Sequence, residues 1–203
     1  MTPFEPNELR DYFIAFADHI GAQKIIVIGY SMGGRVALSL LETMPERIAR
    51  AILIAPDGLE TKPWYRSLAS PAWGRARYAH FIDHPQRVYW IVNALRSLRL
   101  MSDKLHRFIL GQTDTREKRL LQHDVWLSFR HIEPDLHHVA ANIQRERILV
   151  ELIFGAKDSV ISPGLARHLQ PKAPEYIHTT VIDAGHQLLT EELGDLLSKV
   201  TFE

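Results

Sequence analysis

The 203-residue sequence contains no cysteine. That excludes disulfide scaffolds, cysteine-ligated zinc, iron–sulfur clusters and a thiol nucleophile, and it fits a cytoplasmic protein. Net charge is missing as well, since 24 Lys and Arg balance 24 Asp and Glu. A chain with no positive excess lacks the electrostatic footprint of a general nucleic-acid binder or of a polybasic membrane-surface protein. No stretch approaches the roughly 18 consecutive apolar residues of a spanning helix. The opening residues Met1-Thr2-Pro3-Phe4-Glu5 carry neither the basic n-region nor the apolar h-region of a signal peptide. Internal repeats and low-complexity runs are also absent.

What remains is globular: 46% of residues are apolar and 24% charged. The length suits one domain, or one domain carrying an insertion, and folding at this size buries roughly 70% of the unfolded chain's surface. Residues 7–20 read as a helix whose stripe is Leu9, Tyr12, Phe13, Phe16 and Ile20, ended by Gly21. Lys24-Ile25-Ile26-Val27-Ile28-Gly29 is a short β-branched run of the kind found in parallel strands buried on both faces. A helix over 33–43 follows, stopped ahead of Pro45, and 51–55 is a second buried strand. Strand, helix and strand in that order predict a right-handed parallel unit.

Residues 60–145 differ in character. They hold all four Trp and no clear strand, and short helices over 85–98, 101–111, 115–130 and 135–144 fit the pattern. Strands return at 148–154 and 176–182, with helices expected over 164–170 and 188–200. The expected organisation is therefore an α/β core from 1–59 and 146–203 interrupted by a helical cap or lid over 60–145, too long for a plain loop.

Gly29-Tyr30-Ser31-Met32-Gly33 lies between a buried strand and a helix. This Gly-x-Ser-x-Gly is in the context of a nucleophile elbow, where a sharp turn strains and exposes the serine. Glycines two before and two after leave room for close backbone passage. The helix N-terminus favours developing negative charge, and the Met32 amide is placed as an oxyanion donor. A serine hydroxyl needs a base and an orienting acid. Asp158 follows the strand 148–154, and His186 follows the strand 176–182. Ser31, Asp158 and His186 thus come in the chain order this elbow requires, each just past the carboxyl end of a strand, where open parallel sheets carry their sites.

On these residues the sequence resembles the α/β-hydrolase superfamily along essentially its whole length. The matching stretches are Gly-Tyr-Ser-Met-Gly-Gly-Arg at 29–35, Pro-Glu-Arg-Ile at 45–48 leading to Ile-Leu-Ile-Ala-Pro at 52–56, Gly-Ala-Lys-Asp-Ser-Val-Ile-Ser-Pro at 155–163 and Ala-Gly-His at 184–186. The resemblance implies a three-layer, mostly parallel α/β fold with Ser31 as nucleophile, His186 as base, Asp158 as acid and no metal or organic cofactor. It also implies a departure. The family sheet usually has eight strands with the nucleophile after the fifth, whereas one helix alone precedes the Ser31 strand here. The first four strands and the loop donating a second oxyanion N–H are missing from the pattern, so an N-terminally truncated chain is expected. Strand 24–29 would then be an exposed edge, open to pairing between copies.

The expected activity is serine-hydrolase cleavage of an ester or related acyl bond in a small molecule. The alternatives are a lyase resembling the superfamily's menaquinone-pathway member, which shares the Gly-Tyr-Ser-Met-Gly-Gly-Arg elbow, and a non-catalytic fragment. Tyr30 and Arg35 are the candidate substrate contacts, Arg35 through a substrate carboxylate or, instead, in a salt bridge to a neighbouring acid. Asp57 is the alternative acid, and Asp183 reads as a turn residue. Gly29-x4-Gly34-Arg35-Val36 falls short of a phosphate loop, because Arg35 and Val36 replace the required Lys and Ser or Thr. His80, His84, His123 and the His137-His138 pair read as surface residues rather than metal ligands. Trp64, Trp73, Trp90 and Trp126 read mostly as packing in the insertion, and Arg96, Arg99 and Arg107 as a solvated face.

Overall fold

A computed structural model describes residues 2–60 and 71–198. Its elements are α1 (Pro6–His19), β1 (Ile25–Tyr30), α2 (Met32–Thr43), β2 (Ile48–Ile54), α3 (Ala72–Asp83), α4 (Gln86–Ser97), α5 (Asp103–Thr113), α6 (Arg116–Ser128), α7 (Leu136–Glu146), β3 (Leu149–Gly155), β4 (Ile177–Ile182) and α8 (Glu191–Ser198). The contacts divide the chain into two compact units, residues 6–60 with 132–203 and residues 1–5 with 61–131.

The first unit is a parallel sheet in the order β1-β2-β3-β4 flanked by helices. β2 is the strand its sequence describes: Ala51, Ile52, Leu53 and Ile54 are all buried, and β1 and β3 bond to its two edges. β1 departs from that reading. It is an edge strand of the described sheet, and its burial alternates, with Val27 buried while Ile26 is 38% and Ile28 55% exposed. A continuous apolar run predicts burial on both faces only where both faces are covered.

Leu38, Leu41, Ile52, Leu53 and Phe154 are fully buried in one core. Each such side chain contributes about 1.5–3 kcal/mol over leaving it in water. α2 packs on β1 and on α7, and the Asn142 side chain of α7 donates to the Leu41 and Glu42 carbonyls at 3.1 and 2.9 Å. Those are carbonyls in the last turn of α2, which the helix itself leaves unsatisfied. α7 therefore belongs to the sheet unit and not to the insertion in which the sequence reading placed it. The expected helix over 164–170 is a short 3-10 segment, Pro163–His168, with a second at Gln170–Lys172. Pro163 and Pro171 each remove a backbone donor there. The final helix starts at Glu191 rather than 188, leaving 186–190 as irregular chain.

The described residues 71–131 of the second unit are largely helical. Tyr78 of α3 packs its ring on His123 and Trp126 of α6, with centroids 5.3 Å away in both cases. Arg119 of α6 is buried and donates to the Ile82 and Thr113 carbonyls, both at 2.8 Å. These acceptors lie in the last turns of α3 and α5, the negative ends of two helix dipoles, and they stand in for a carboxylate partner. α3 was absent from the sequence reading, and its buried residues Gly74, Tyr78 and Ile82 recur every four positions.

Candidate active site

β1 runs into α2 through one residue, Ser31, with φ 51° and ψ −114°. Positive φ is strained for a side-chain-bearing residue, at a cost of about 1–3 kcal/mol. Three backbone hydrogen bonds of 2.9 Å hold it: Ser31 N–H donates to Ile54 O, and the Gly34 and Asp57 amides both donate to Ser31 O. The turn is thereby fastened to the end of β2.

The glycines around it divide their work differently from the motif reading. A Cβ on Gly29 would stand 2.5 Å from Gly33 O, and one on Gly34 would stand 2.5 Å from Pro56 Cα. A Cβ on Gly33 would meet nothing within 4 Å. Gly29 is the close-passage glycine before the serine, as read; Gly34, not Gly33, is the one after it. The adjacent Gly33-Gly34 pair was the signal available in sequence.

β3 ends at Gly155, which a Cβ would drive to 2.5 Å from the carbonyls of Ala184 and Gly185. The absence of a side chain there lets the loop after β4 pass against the loop after β3. Asp158 lies in the loop after β3 with its side chain fully buried. Its Oδ1 accepts from the Val160 and Ile161 amides at 2.8 and 2.9 Å, and its Oδ2 accepts from His186 Nδ1 at 2.8 Å. Burial works to raise the Asp158 pKa, but the bonds from His186, Ile161 and Val160 outweigh it and hold the carboxyl below its ordinary value. With Nδ1–H committed to the carboxylate, Nε2 carries the lone pair. Ser31 Oγ lies 3.3 Å from it. The structure thus brings Ser31, His186 and Asp158 into one hydrogen-bonded line. Met32 opens α2, whose first-turn amides have no acceptor within the helix.

A family model described as the alpha/beta hydrolase fold matches residues 4–193. The chain belongs to the α/β-hydrolase family. Among curated relatives of this hydrolase-fold chain, the dihydrolipoyllysine-residue acetyltransferase component of an acetoin cleaving system from Pseudomonas putida is 27% identical over 186 residues, 91% of this chain and 46% of that protein. A homoserine O-acetyltransferase from Thermus thermophilus is 40% identical over 67 residues, 32% of this chain and 17% of that one. The chain thus spans about half, or less, of the length of these relatives. Among solved structures, a thermophilic esterase from Thermogutta terrifontis superposes with a TM-score of 0.57 at 21% identity, covering 97% of this chain and 73% of that one. At that identity the likeness concerns the fold.

Two expected substrate contacts of this α/β-hydrolase-fold protein are otherwise engaged. Arg35 is 6% exposed, and its guanidinium lies 2.7 Å from the Asp57 carboxylate. This is the salt bridge to a neighbouring acid that was the alternative reading of Arg35. The same pairing occupies Asp57, the alternative acid. The Tyr30 hydroxyl donates to the His186 carbonyl at 2.6 Å rather than reaching into open space. Asp183 is exposed and pairs with Lys157 at 2.6 Å. His80 and His84 stack on one another with centroids 4.5 Å apart. Among the described residues no group of three or more metal-ligating side chains converges. No helix among them is long and apolar enough to cross a membrane. Trp73 and Trp90 are 59% and 72% exposed, Trp126 is half-buried, and Trp64 lies outside the described residues.

Proposed function

We propose that this chain is a serine hydrolase acting on an ester or related acyl bond of a small molecule through Ser31, His186 and Asp158. The observation that carries the reading is the continuous line from Ser31 Oγ through the imidazole to a carboxylate with both oxygens bonded. Ser31 Oγ attacks the acyl carbonyl as His186 Nε2 takes its proton. The tetrahedral intermediate collapses and the acyl–oxygen bond breaks. The leaving alcohol takes the proton back from Nε2, and an acyl-Ser31 remains. Water, deprotonated by the same nitrogen, then releases the acid and restores the serine. Asp158 fixes the imidazole tautomer and stabilises its cation. The Met32 amide is assigned to the oxyanion, where a single donor is typically worth ~10²–10³ in rate.

The insertion, ending before the sheet unit resumes at Ile132, is proposed as the substrate-selecting cap, and the protein as cytoplasmic and cofactor-free. One relative is named a homoserine O-acetyltransferase, so transfer of an acyl group is the chemistry its name shares with this proposal. The lyase alternative relied on a cation for a substrate carboxylate, and Arg35 is engaged by Asp57.

Covalent labelling by a fluorophosphonate, read by intact mass, tests the proposal. One adduct on the wild-type chain, absent from Ser31→Ala, is expected. An unlabelled wild-type chain would leave the fold in place and overturn the assignment of Ser31 as an activated nucleophile.

A further inference from the structure

His186 sits in chain that has no regular secondary structure. β4 ends at Ile182, α8 begins at Glu191, and the residues between belong to neither. A base that must point its Nε2 at one oxygen needs its backbone fixed as well as its ring. The ring is fixed by Asp158 at Nδ1. On the backbone side, the Tyr30 hydroxyl donates to the His186 carbonyl at 2.6 Å, across 156 residues of sequence. One hydroxyl therefore reaches the backbone of the base loop at the base itself.

The position of Tyr30 gives this bridge its consequence. Tyr30 is the last residue of β1 and is bonded directly to Ser31. The nucleophile and the base loop are thus tied through a single side chain, separately from the Ser31–His186 contact itself. The rings of Tyr30 and His186 also lie against one another, with centroids 5.7 Å apart. We infer that Tyr30 is a positioning residue whose hydroxyl holds the His186 backbone at hydrogen-bonding distance from Ser31, rather than a group that contacts substrate. This inference rests on the proposed Ser31–His186–Asp158 chemistry.

The protonation state of the phenol agrees. Burial raises its pKa, and the nearby Asp158 carboxylate raises it further. The hydroxyl stays a donor throughout the neutral range, so the bridge does not titrate away where the base works.

Tyr30→Phe keeps the ring and removes the bridge. With the full chain, the rate of fluorophosphonate labelling at Ser31 is expected to fall about tenfold, the size of one lost hydrogen bond. For a neutral short-chain ester, kcat should fall with it while KM holds. A substrate-binding phenol would give the opposite split, a raised KM with unchanged labelling, and that would overturn the inference. The downfield proton resonance of His186 Nδ1–H gives a readout that needs no turnover. It is expected in the wild type and broadened by faster exchange in Tyr30→Phe. The same resonance in both proteins overturns the inference, as does its absence from the wild type. If the wild type shows the resonance but takes no label, the nucleophile assignment fails on its own, and Tyr30 is still judged by the proton signal.

Discussion

The guanidinium of Arg35 and the carboxylate of Asp57 lie 2.7 Å apart, joining the first turn of the helix behind Ser31 to the turn that ends β2. Two further contacts repeat that junction. The Asp57 amide donates to Ser31 O, and Gly34 passes against Pro56. The strained serine is therefore held from the β2 side by a backbone bond, a close contact and an ion pair together.

Arg35→Met is expected to destabilise the chain rather than to change what it accepts. Breaking a fully buried pair costs about 3–5 kcal/mol. That is an upper limit here, since Asp57 keeps 27% of its side-chain surface in water. Removing the acid as well, in Arg35→Met with Asp57→Asn, should recover part of the loss. Denaturant midpoints of the two single variants and the double variant measure this. Turnover of a neutral ester and of a carboxylate-bearing ester should fall by the same factor. A selective loss on the carboxylate substrate would restore Arg35 as a substrate contact.

The glycine geometry separates two adjacent positions that look alike in sequence. Gly34→Ala forces a Cβ to 2.5 Å from Pro56 Cα, so backbone must move. A loss of at least ~1–3 kcal/mol is expected, as for overpacking elsewhere, along with loss of fluorophosphonate labelling. Gly33→Ala places its Cβ in open space inside a helix. There alanine is preferred over glycine by about 0.5–1 kcal/mol, so thermal unfolding should shift upward. Equal behaviour of the two variants would contradict the assigned contact.

What was legible in the sequence follows from which interactions are local. The runs at 25–30, 48–54 and 149–155 are apolar and β-branched and need no partner to be recognised. Gly-x-Ser-x-Gly is a local steric motif, and the Ser, Asp, His order needs only its flanking strands. What was not legible is long-range. The division of labour between Gly33 and Gly34 depends on Pro56, the Arg35 partner lies 22 positions downstream, and the Tyr30 hydroxyl finds an acceptor 156 positions away. α3 escaped because its polar and apolar residues mix around the helix, so only Gly74, Tyr78 and Ile82 mark the buried line. The two-sided burial expected of β1 failed because a run of isoleucines reports strand character and not what will cover it.

Asp158 links the site to stability through pH. Its folded pKa lies below the ordinary carboxylate value near 3.9 that it would have unfolded. The stabilisation from its ionised form is therefore fully present above about pH 4 and is lost as pH falls through the folded value. Urea midpoints taken from neutral pH into acid should drop less steeply in Asp158→Asn than in the wild type. At neutral pH the same variant presents an amide to Nδ1 and no longer fixes the productive tautomer. Ester turnover should fall about 10⁴-fold with the fold intact, as expected for an orienting carboxylate. An Asp158→Asn chain with wild-type turnover would remove Asp158 from the mechanism.

Arg119 is the corresponding fastening in the helical unit, and that unit carries its own reporter. All four tryptophans fall within residues 61–131. Tryptophan fluorescence therefore follows that unit, while Ser31 labelling follows the sheet unit. Arg119 donates to carbonyls at the ends of α3 and α5 and also to the Tyr89 hydroxyl at 3.3 Å. Arg119→Ala strands the buried Ile82 carbonyl, at about 1–3 kcal/mol, while the Thr113 carbonyl keeps the Tyr89 hydroxyl as donor. The fluorescence transition should move to lower denaturant by at least that amount. Arg119→Lys restores the charge but not the planar fork, so it should recover less than half of the loss. If lysine recovers all of it, charge alone against the two helix dipoles holds α3 and α5 to α6. If it recovers almost none, the directional hydrogen bonds do, and the fluorescence midpoint of the two variants distinguishes the cases without reference to activity.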